Sequence, residues 1–144
     1  MGYIGKSFNY VRDIGVATEN DYPYASLTST TTAPCKDITG FTLFKISGFT
    51  ALNNCPNLAA SLALRPIAVE VDARKMSYYK NGTFNNCRNN SNNHAVLLVG
   101  VNSTHWKIKN SWRATWGTNG FMDLDATNGN NTCGICNSGR LPLP

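Results

Sequence analysis

No glutamine occurs anywhere in the 144 residues. Chemistry that needs a Gln side-chain amide as a hydrogen-bond donor therefore finds none in this chain. Histidine is nearly as scarce, with only His94 and His105. An imidazole-rich metal site is excluded, and a lone Cys133-Gly-Ile-Cys136 near a Pro-rich end is weak evidence for zinc or for a redox motif, which would follow a strand and open a helix. No metal or cofactor is expected. Long apolar runs are also lacking. The longest, "AVLLVGV", falls far short of the roughly 20 residues of a spanning helix, so no membrane partner is expected. The opening "MGYIGKSFNYV" has no charged region followed by a long apolar core, so no signal peptide is visible in it. Net charge is +5, yet the basic residues run from Lys6 to Arg140 without a cluster larger than Arg74, Lys75 and Lys80. That pattern reads as a solvated basic surface, not a nucleic-acid footprint.

The length favours one domain, and 42% hydrophobic residues suffice for a core. Five cysteines (Cys35, Cys55, Cys87, Cys133 and Cys136) point to an oxidising compartment, and the odd count leaves at least one thiol without a partner in the chain. Asn-x-Ser/Thr sequons fall at Asn81, Asn89, Asn102 and Asn130 in an Asn-rich sequence where chance matches are expected.

Along the chain, Ile4, Phe8 and Val11 are spaced for one face of a short helix over 3–12. Turn-formers follow, and "TSTTTAPCK" is polar and exposed in character. "GFTLFKISGF" alternates as a strand. "NNCPNLAASLAL" reads as a helix with Asn54 as N-cap and Pro56 in its first turn. "RPIAVEVDA" is a strand, "SYYKNGTF" a turn and 85–93 a loop. "HAVLLVGV" is apolar enough to be a strand buried on both faces. "WKIKN" puts Trp106, Ile108 and Asn110 on one side and two lysines on the other. "GFMDLDA" is a further strand, and "CGICNSGRLPLP" closes the chain. The class is α+β with antiparallel strands.

A hairpin of 94–101 and 106–112 brings His94 and Asn110 together at its open end. The Asn oxygen can accept from one imidazole nitrogen, fixing the tautomer and leaving the other nitrogen for a nucleophile. Facing a thiol, the imidazole would form a thiolate–imidazolium pair. Trp112 could roof the Asn–His bond and exclude water. His105, in the hairpin turn, reads as a solvated turn residue.

"NNHAVLLVGV" and "WKIKNSWRATWGTNGFMDL" resemble the His and Asn blocks of the papain family of cysteine peptidases. "GYIGKSFNYVRDIGVATENDYPYAS", "RPIAVEVDA", "YKNGTFNNC" and "NTCGIC" resemble further family segments, in family order, over nearly all of the chain. The resemblance implies a papain-like fold in which 1–45 is a remnant of the helical domain and 46–144 the β-rich domain. It implies peptide-bond hydrolysis by a Cys-His-Asn triad, with His94 as general acid/base, Asn110 as its orienter, Trp112 as the shield and Trp116 as support. Arg113 departs from the usual Gly after "NSW"; since Gly permits φ > 0 and Arg rarely adopts it, a different backbone conformation is expected there.

The family's "CGSCW"-type nucleophile block and its oxyanion-hole Gln have no counterpart here, so the 144 residues are expected to be the C-terminal portion and inactive alone. A reading frame in which a stop codon encodes Gln, translated by the standard code, would yield such a Gln-free chain starting at an internal Met. By resemblance Cys87 pairs with Cys133. Cys35 matches a position whose partner lies upstream. Cys55 and Cys136 have no standard counterpart; pairing with each other is one reading left open for them. Gly2, Tyr3, Glu70, Asn92, Asn93, Ala95 and Ser138 match walls of the substrate cleft. Glu70 there would favour a basic substrate side chain, or else pair with a basic neighbour. Expected partners are a peptide or protein substrate, and the missing N-terminal region, a propeptide or an inhibitor. The expected location is lysosomal, vacuolar or extracellular. The competing reading is a non-catalytic homologue that binds peptides or inhibitors.

Overall fold

The computed structural model describes residues 2–25, 34–88, 90–127 and 130–144. The chain divides into two compact units, Met1–Gly48 with Leu143–Pro144, and Phe49–Pro142.

In the first unit, helix α1 covers Ile4–Asp13. Ile4, Phe8 and Val11 do lie on one stripe, but each is only half-buried, and the helix has no buried residue. Gly15, at φ 103°, follows it. A Cβ there would lie 2.9 Å from Leu43 Cβ and 3.1 Å from the Phe44 carbonyl, so only glycine fits. This close approach lets Val16 and Phe44 exchange two backbone hydrogen bonds of 2.9 Å. The strand expected over 40–49 forms only at its end, where Gly48 and Phe49 begin the strand Gly48–Leu52; upstream of that, Phe44 makes the isolated bridge. The alternating residues there face little apolar surface, since Phe44 is 57% exposed. Most of the "TSTTTAPCK" stretch lies outside the described residues; Pro34–Lys36 are exposed.

The second unit holds most of the sheet. Its elements are β1 Gly48–Leu52, α2 Cys55–Leu62, β2 Ile67–Val71, β3 Thr83–Phe84, β4 His94–Val101, β5 His105–Lys109, β6 Phe121–Asp125, a 3-10 turn at Thr132–Gly134 and β7 Gly139–Leu143. The sheet order is β1-β7-β2-β4-β5-β6-β3. The β2–β7, β2–β4, β4–β5 and β5–β6 pairs are antiparallel and β3–β6 is parallel. Helix α2 starts where predicted. Asn54 Oδ1 accepts from the Asn57 N–H at 2.8 Å, and proline occupies the first turn, where its missing N–H costs nothing.

The core lies on one face of this sheet. Ile67, Val69 and Val71 of β2, Val96 and Leu98 of β4, Ile108 of β5 and Leu124 of β6 are buried, with Leu58 of α2 and Ile135 packed in. Strand β4 departs from expectation here. It alternates instead of being buried on both faces, because Ala95 and Leu97 point to the outer face, where Leu97 is 37% exposed. Strand β5 behaves as read, with Trp106 and Ile108 inward and Lys107 and Lys109 outward.

Two disulfides fasten this unit, Cys87–Cys133 and Cys55–Cys136, while Cys35 is free and exposed. Neither cysteine of the C-x-x-C pattern therefore offers a thiolate. A buried carboxylate adds a third fastening. Asp72, 1% exposed, accepts from Arg74 Nη1 at 2.9 Å and from the Arg88 N–H at 3.2 Å, tying the end of β2 to the loop that leads into β4. No helix among the described residues is long and apolar enough to cross a membrane.

The Cys55–Cys136 bond closes a separation of 81 residues. Constraining the unfolded chain over that length is worth roughly 4 kcal/mol in the chain-entropy account, and measured values run about 2–5 kcal/mol. Replacing both cysteines by Ala should lower unfolding free energy by that order, read from urea midpoints with the Cys87–Cys133 bond intact.

Candidate active site

Strand β4 begins at His94 and strand β5 runs out at Lys109, so both open ends of the hairpin lie together. Leu97 pairs with Lys109. Extending that register brings Asn110 level with Val96 and Trp112 level with His94. Geometry follows suit. His94 Nε2 lies 2.9 Å from Asn110 Oδ1. The Trp112 ring stacks on the imidazole, centroids 4.9 Å apart at 30°.

The direction of the proton follows from valence. A carboxamide oxygen can only accept. Asn110 Oδ1 accepts from the Ser111 N–H at 2.7 Å and from His94. The proton of a neutral His94 therefore sits on Nε2, and Nδ1 keeps a free lone pair. Asn110 is 8% exposed, so this bond is made in a medium of lower dielectric than water, which strengthens it. Its Nδ2 group is buried with no partner among the described residues. The main chain anchors the residue as well, Asn110 N–H donating to the Gly120 carbonyl at 2.9 Å.

Behind the shield lies a second aromatic layer. Trp116 meets Trp112 edge-on, centroids 5.2 Å apart at 83°, and Tyr79 packs against Trp116 at 5.7 Å. Trp116 Nε1 donates to the Met76 carbonyl at 3.1 Å, and Tyr79 Oη donates to the Gly82 carbonyl at 2.6 Å. Met76 and Tyr79 were not anticipated from the sequence. Their only sequence signal is aromatic and thioether character just after the β2 strand. The loop between Asn110 and Gly120 is bent by left-handed residues, with Arg113 at φ 71° and Gly117 at φ 57°. A Cβ on Gly117 would collide with the Phe121 carbonyl.

The expected cleft residues separate into groups. Glu70 lies opposite Ala95, and its N–H donates to the Ser138 carbonyl at 3.2 Å, so these three are brought together beside the start of β4. No ion pair among the described residues includes Glu70. Asn92 joins them as a brace. Its Nδ2 donates to the Glu70 and Gly134 carbonyls at 3.0 and 3.1 Å. Asn93 holds β4 to β2, its N–H donating to the Val71 carbonyl and its Oδ1 accepting from the Ala73 N–H. Gly2 and Tyr3 belong to the first unit, just before α1. No other heavy atom lies within 4 Å of where a Gly2 Cβ would stand, and Tyr3 is exposed.

Carboxyls held below their usual range lie elsewhere. Asp13 is lowered by its hydrogen bond to Arg12, Asp37 by the Thr39 backbone and hydroxyl, and Asp125 by the Thr127 hydroxyl and backbone. Asp13 ends α1 and Asp37 lies in an exposed loop, while Asp125, half-buried, ends β6.

This fold has counterparts among solved structures. The cysteine protease CMS1MS2 of Carica candamarcensis, solved in complex with E-64, superimposes with a TM-score of 0.87 at 25% identity, over 99% of this chain and 68% of that one. The fold is papain-like. The pattern described as papain family cysteine protease matches residues 1–143, and the chain belongs to that family. It is 37% identical over 143 residues to cathepsin L 2 of Paramecium tetraurelia, covering 99% of this chain and 43% of the relative. It is 36% identical over 154 residues to cathepsin K of Mus musculus, covering 98% of this chain and 45% of the relative. The chain thus spans less than half the length of these two relatives.

Arg113 occupies a conformation that costs a side-chain-bearing residue about 1 kcal/mol or more. Arg113→Gly should therefore raise the unfolding free energy by that order, seen as a higher urea midpoint, and an unchanged or lower midpoint would show that contacts of the Arg side chain offset the strain.

Proposed function

We propose that this chain is the C-terminal part of a papain-like cysteine endopeptidase working through a Cys-His-Asn triad. The 2.9 Å bond from His94 Nε2 to Asn110 Oδ1 carries this reading. It leaves Nδ1 as the base. Nδ1 would take the proton of a thiol, and the thiolate would attack the scissile carbonyl carbon. The imidazolium would then give its proton to the leaving amine, and water activated by the same nitrogen would release the acyl group. Asn110 acts as the positioning residue, Trp112 keeps water from the bond, and Trp116 supports Trp112 through the Met76 carbonyl. The unit Met1–Gly48 would be the remnant of the helical domain.

The nucleophile is assigned to polypeptide beyond these 144 residues. Four cysteines are held in disulfides, and Cys35 sits in a sequence unlike the family's nucleophile block. The oxyanion-hole Gln is likewise not supplied. An intact His–Asn pair favours a working peptidase over the competing peptide- or inhibitor-binding homologue. The two disulfides support an oxidising destination, lysosomal, vacuolar or extracellular.

The deciding experiment is the intact mass and N-terminal sequence of the native protein, captured by an antibody to the C-terminal segment. Extension upstream through a nucleophile block supports the proposal, and a start at Met1 sinks it. The 144 residues alone should show no thiol-dependent turnover of a dipeptidyl reporter, since loss of the nucleophile in a comparable triad costs on the order of a millionfold. Inhibitor-sensitive turnover by the isolated chain would refute this.

Glu70 gives the substrate preference. A half-buried carboxylate beside Ala95 and Ser138, with no cation paired to it among the described residues, favours an arriving Arg or Lys. The full-length enzyme should prefer a basic residue two positions upstream of the scissile bond by about tenfold, the equivalent of one charge-assisted hydrogen bond. Glu70→Ala should abolish that preference in kcat/KM, and a preference for Leu or Phe unaffected by the substitution would end the idea.

A further inference from the structure

The β4–β5 turn carries a sequon that the catalytic reading does not use. Asn102, Ser103 and Thr104 are all exposed. The Asn102 N–H donates to the His105 carbonyl at 3.1 Å, closing the turn. Asn102 Oδ1 accepts from the Thr104 N–H at 2.8 Å, from Thr104 Oγ1 at 3.0 Å and from the His105 N–H at 2.9 Å. The His105 ring makes two further contacts within the turn, Thr104 Oγ1 to Nδ1 at 3.0 Å and Asn102 Nδ2 to Nε2 at 3.1 Å, and its Nε2 also lies 3.8 Å from Asp123 Oδ1 of β6.

Valence again sets the directions. Oδ1 only accepts, so the Thr104 hydroxyl proton goes to it. That hydroxyl must then accept from Nδ1–H. In the neutral ring Nε2 then carries the lone pair and accepts one hydrogen of the Asn102 amide. Every polar group of the ring is used except the second Nδ2–H, which has no partner among the described residues. Replacing that hydrogen breaks no bond in the turn.

We propose that Asn102 is an N-glycosylation site. This rests on the oxidising destination proposed above. In the transfer, Asn102 Nδ2 attacks the anomeric carbon of an oligosaccharide carried on a lipid diphosphate. The bond from that carbon to the diphosphate oxygen breaks, the diphosphate leaves with the electron pair, and one amide proton passes to the transferase. The attached sugar has an apolar surface to cover. Asn102 and Ser103 border a 520 Å³ groove also lined by Pro56, Ala59, Val101 and Trp106. Asn130 is a poorer acceptor, since its Nδ2 is directed at Asp125 Oδ2 at 3.5 Å and its carbonyl accepts from the Trp106 indole. Asn89 lies outside the described residues.

The test is peptide mapping of the native protein after peptide-N-glycosidase treatment in heavy-oxygen water, with fragmentation to locate the label. Asn102 should be recovered as heavy-oxygen Asp. Recovery of unmodified Asn102 overturns the proposal. If Cys87–Cys133 is oxidised in that material, the sequon reading is at fault, whereas free thiols there would place the fault in the compartment. Expression of the full chain in a secretory host gives a second check. Thr104→Ser should keep the mass increment at Asn102 and Thr104→Ala should lose it, and an increment that survives Thr104→Ala, or is lacking before any substitution, also overturns the proposal.

Discussion

A single accepted hydrogen bond organises the second unit's chemistry. Asn110 presents an oxygen that cannot donate, in a place where water is largely excluded. Whatever meets it must bring a proton, and His94 does so with Nε2. The neutral ring therefore keeps its lone pair on Nδ1. The surrounding structure can be understood as holding that meeting in place. The hairpin register sets the distance, Trp112 and Trp116 dry it, Gly120 fixes the Asn main chain, and Asn93 pins the strand that starts with the histidine.

Much of this was legible in the sequence. His94 and Asn110 each flank an apolar strand, and a two-strand hairpin must bring such flanks together. The Asn54 cap and the lysine-out pattern of "WKIKN" were equally readable, because each rests on local periodicity or local hydrogen bonding. Three features were not. Strand β4 looked buried on both faces, but composition cannot reveal that Leu97 has no layer over it. Strand β7 was hidden by Pro142, which has no N–H to give to a ladder. The run 40–49 has the alternation of a strand, yet strand structure begins only at Gly48, with Phe44 making an isolated bridge to Val16, since partner availability is a property of the whole fold and not of the run. Among site residues, Met76 and Tyr79 act through a carbonyl and a ring edge, and backbone acceptors leave no mark in residue type.

The hairpin turn and the hairpin mouth make an instructive pair. Both use an Asn and a His in contact, and both fix a tautomer by the same rule that a carboxamide oxygen only accepts. At the mouth the imidazole donates to the amide oxygen, giving a ring protonated at Nε2. At the turn it accepts from the amide nitrogen, giving a ring protonated at Nδ1. Sequence treats the two histidines as one residue type, and hydrogen-bond valence separates them. Their neighbours separate them further, because His94 stacks on Trp112 while His105 Nε2 lies 3.8 Å from Asp123 Oδ1.

The two disulfides converge on one short turn, at Cys133 and Cys136, while their other ends lie at Cys55 and Cys87. The loops they close are nested, with the 87–133 loop lying inside the 55–136 loop. A backbone cut at any bond between Cys55 and Cys136 therefore leaves two pieces still linked by sulfur. Such a molecule can be nicked anywhere between those two cysteines without shedding either fragment. In a compartment shared with active peptidases, damage of that kind would show as a change in chain length under reducing conditions and as no change of mass, beyond added water, without them.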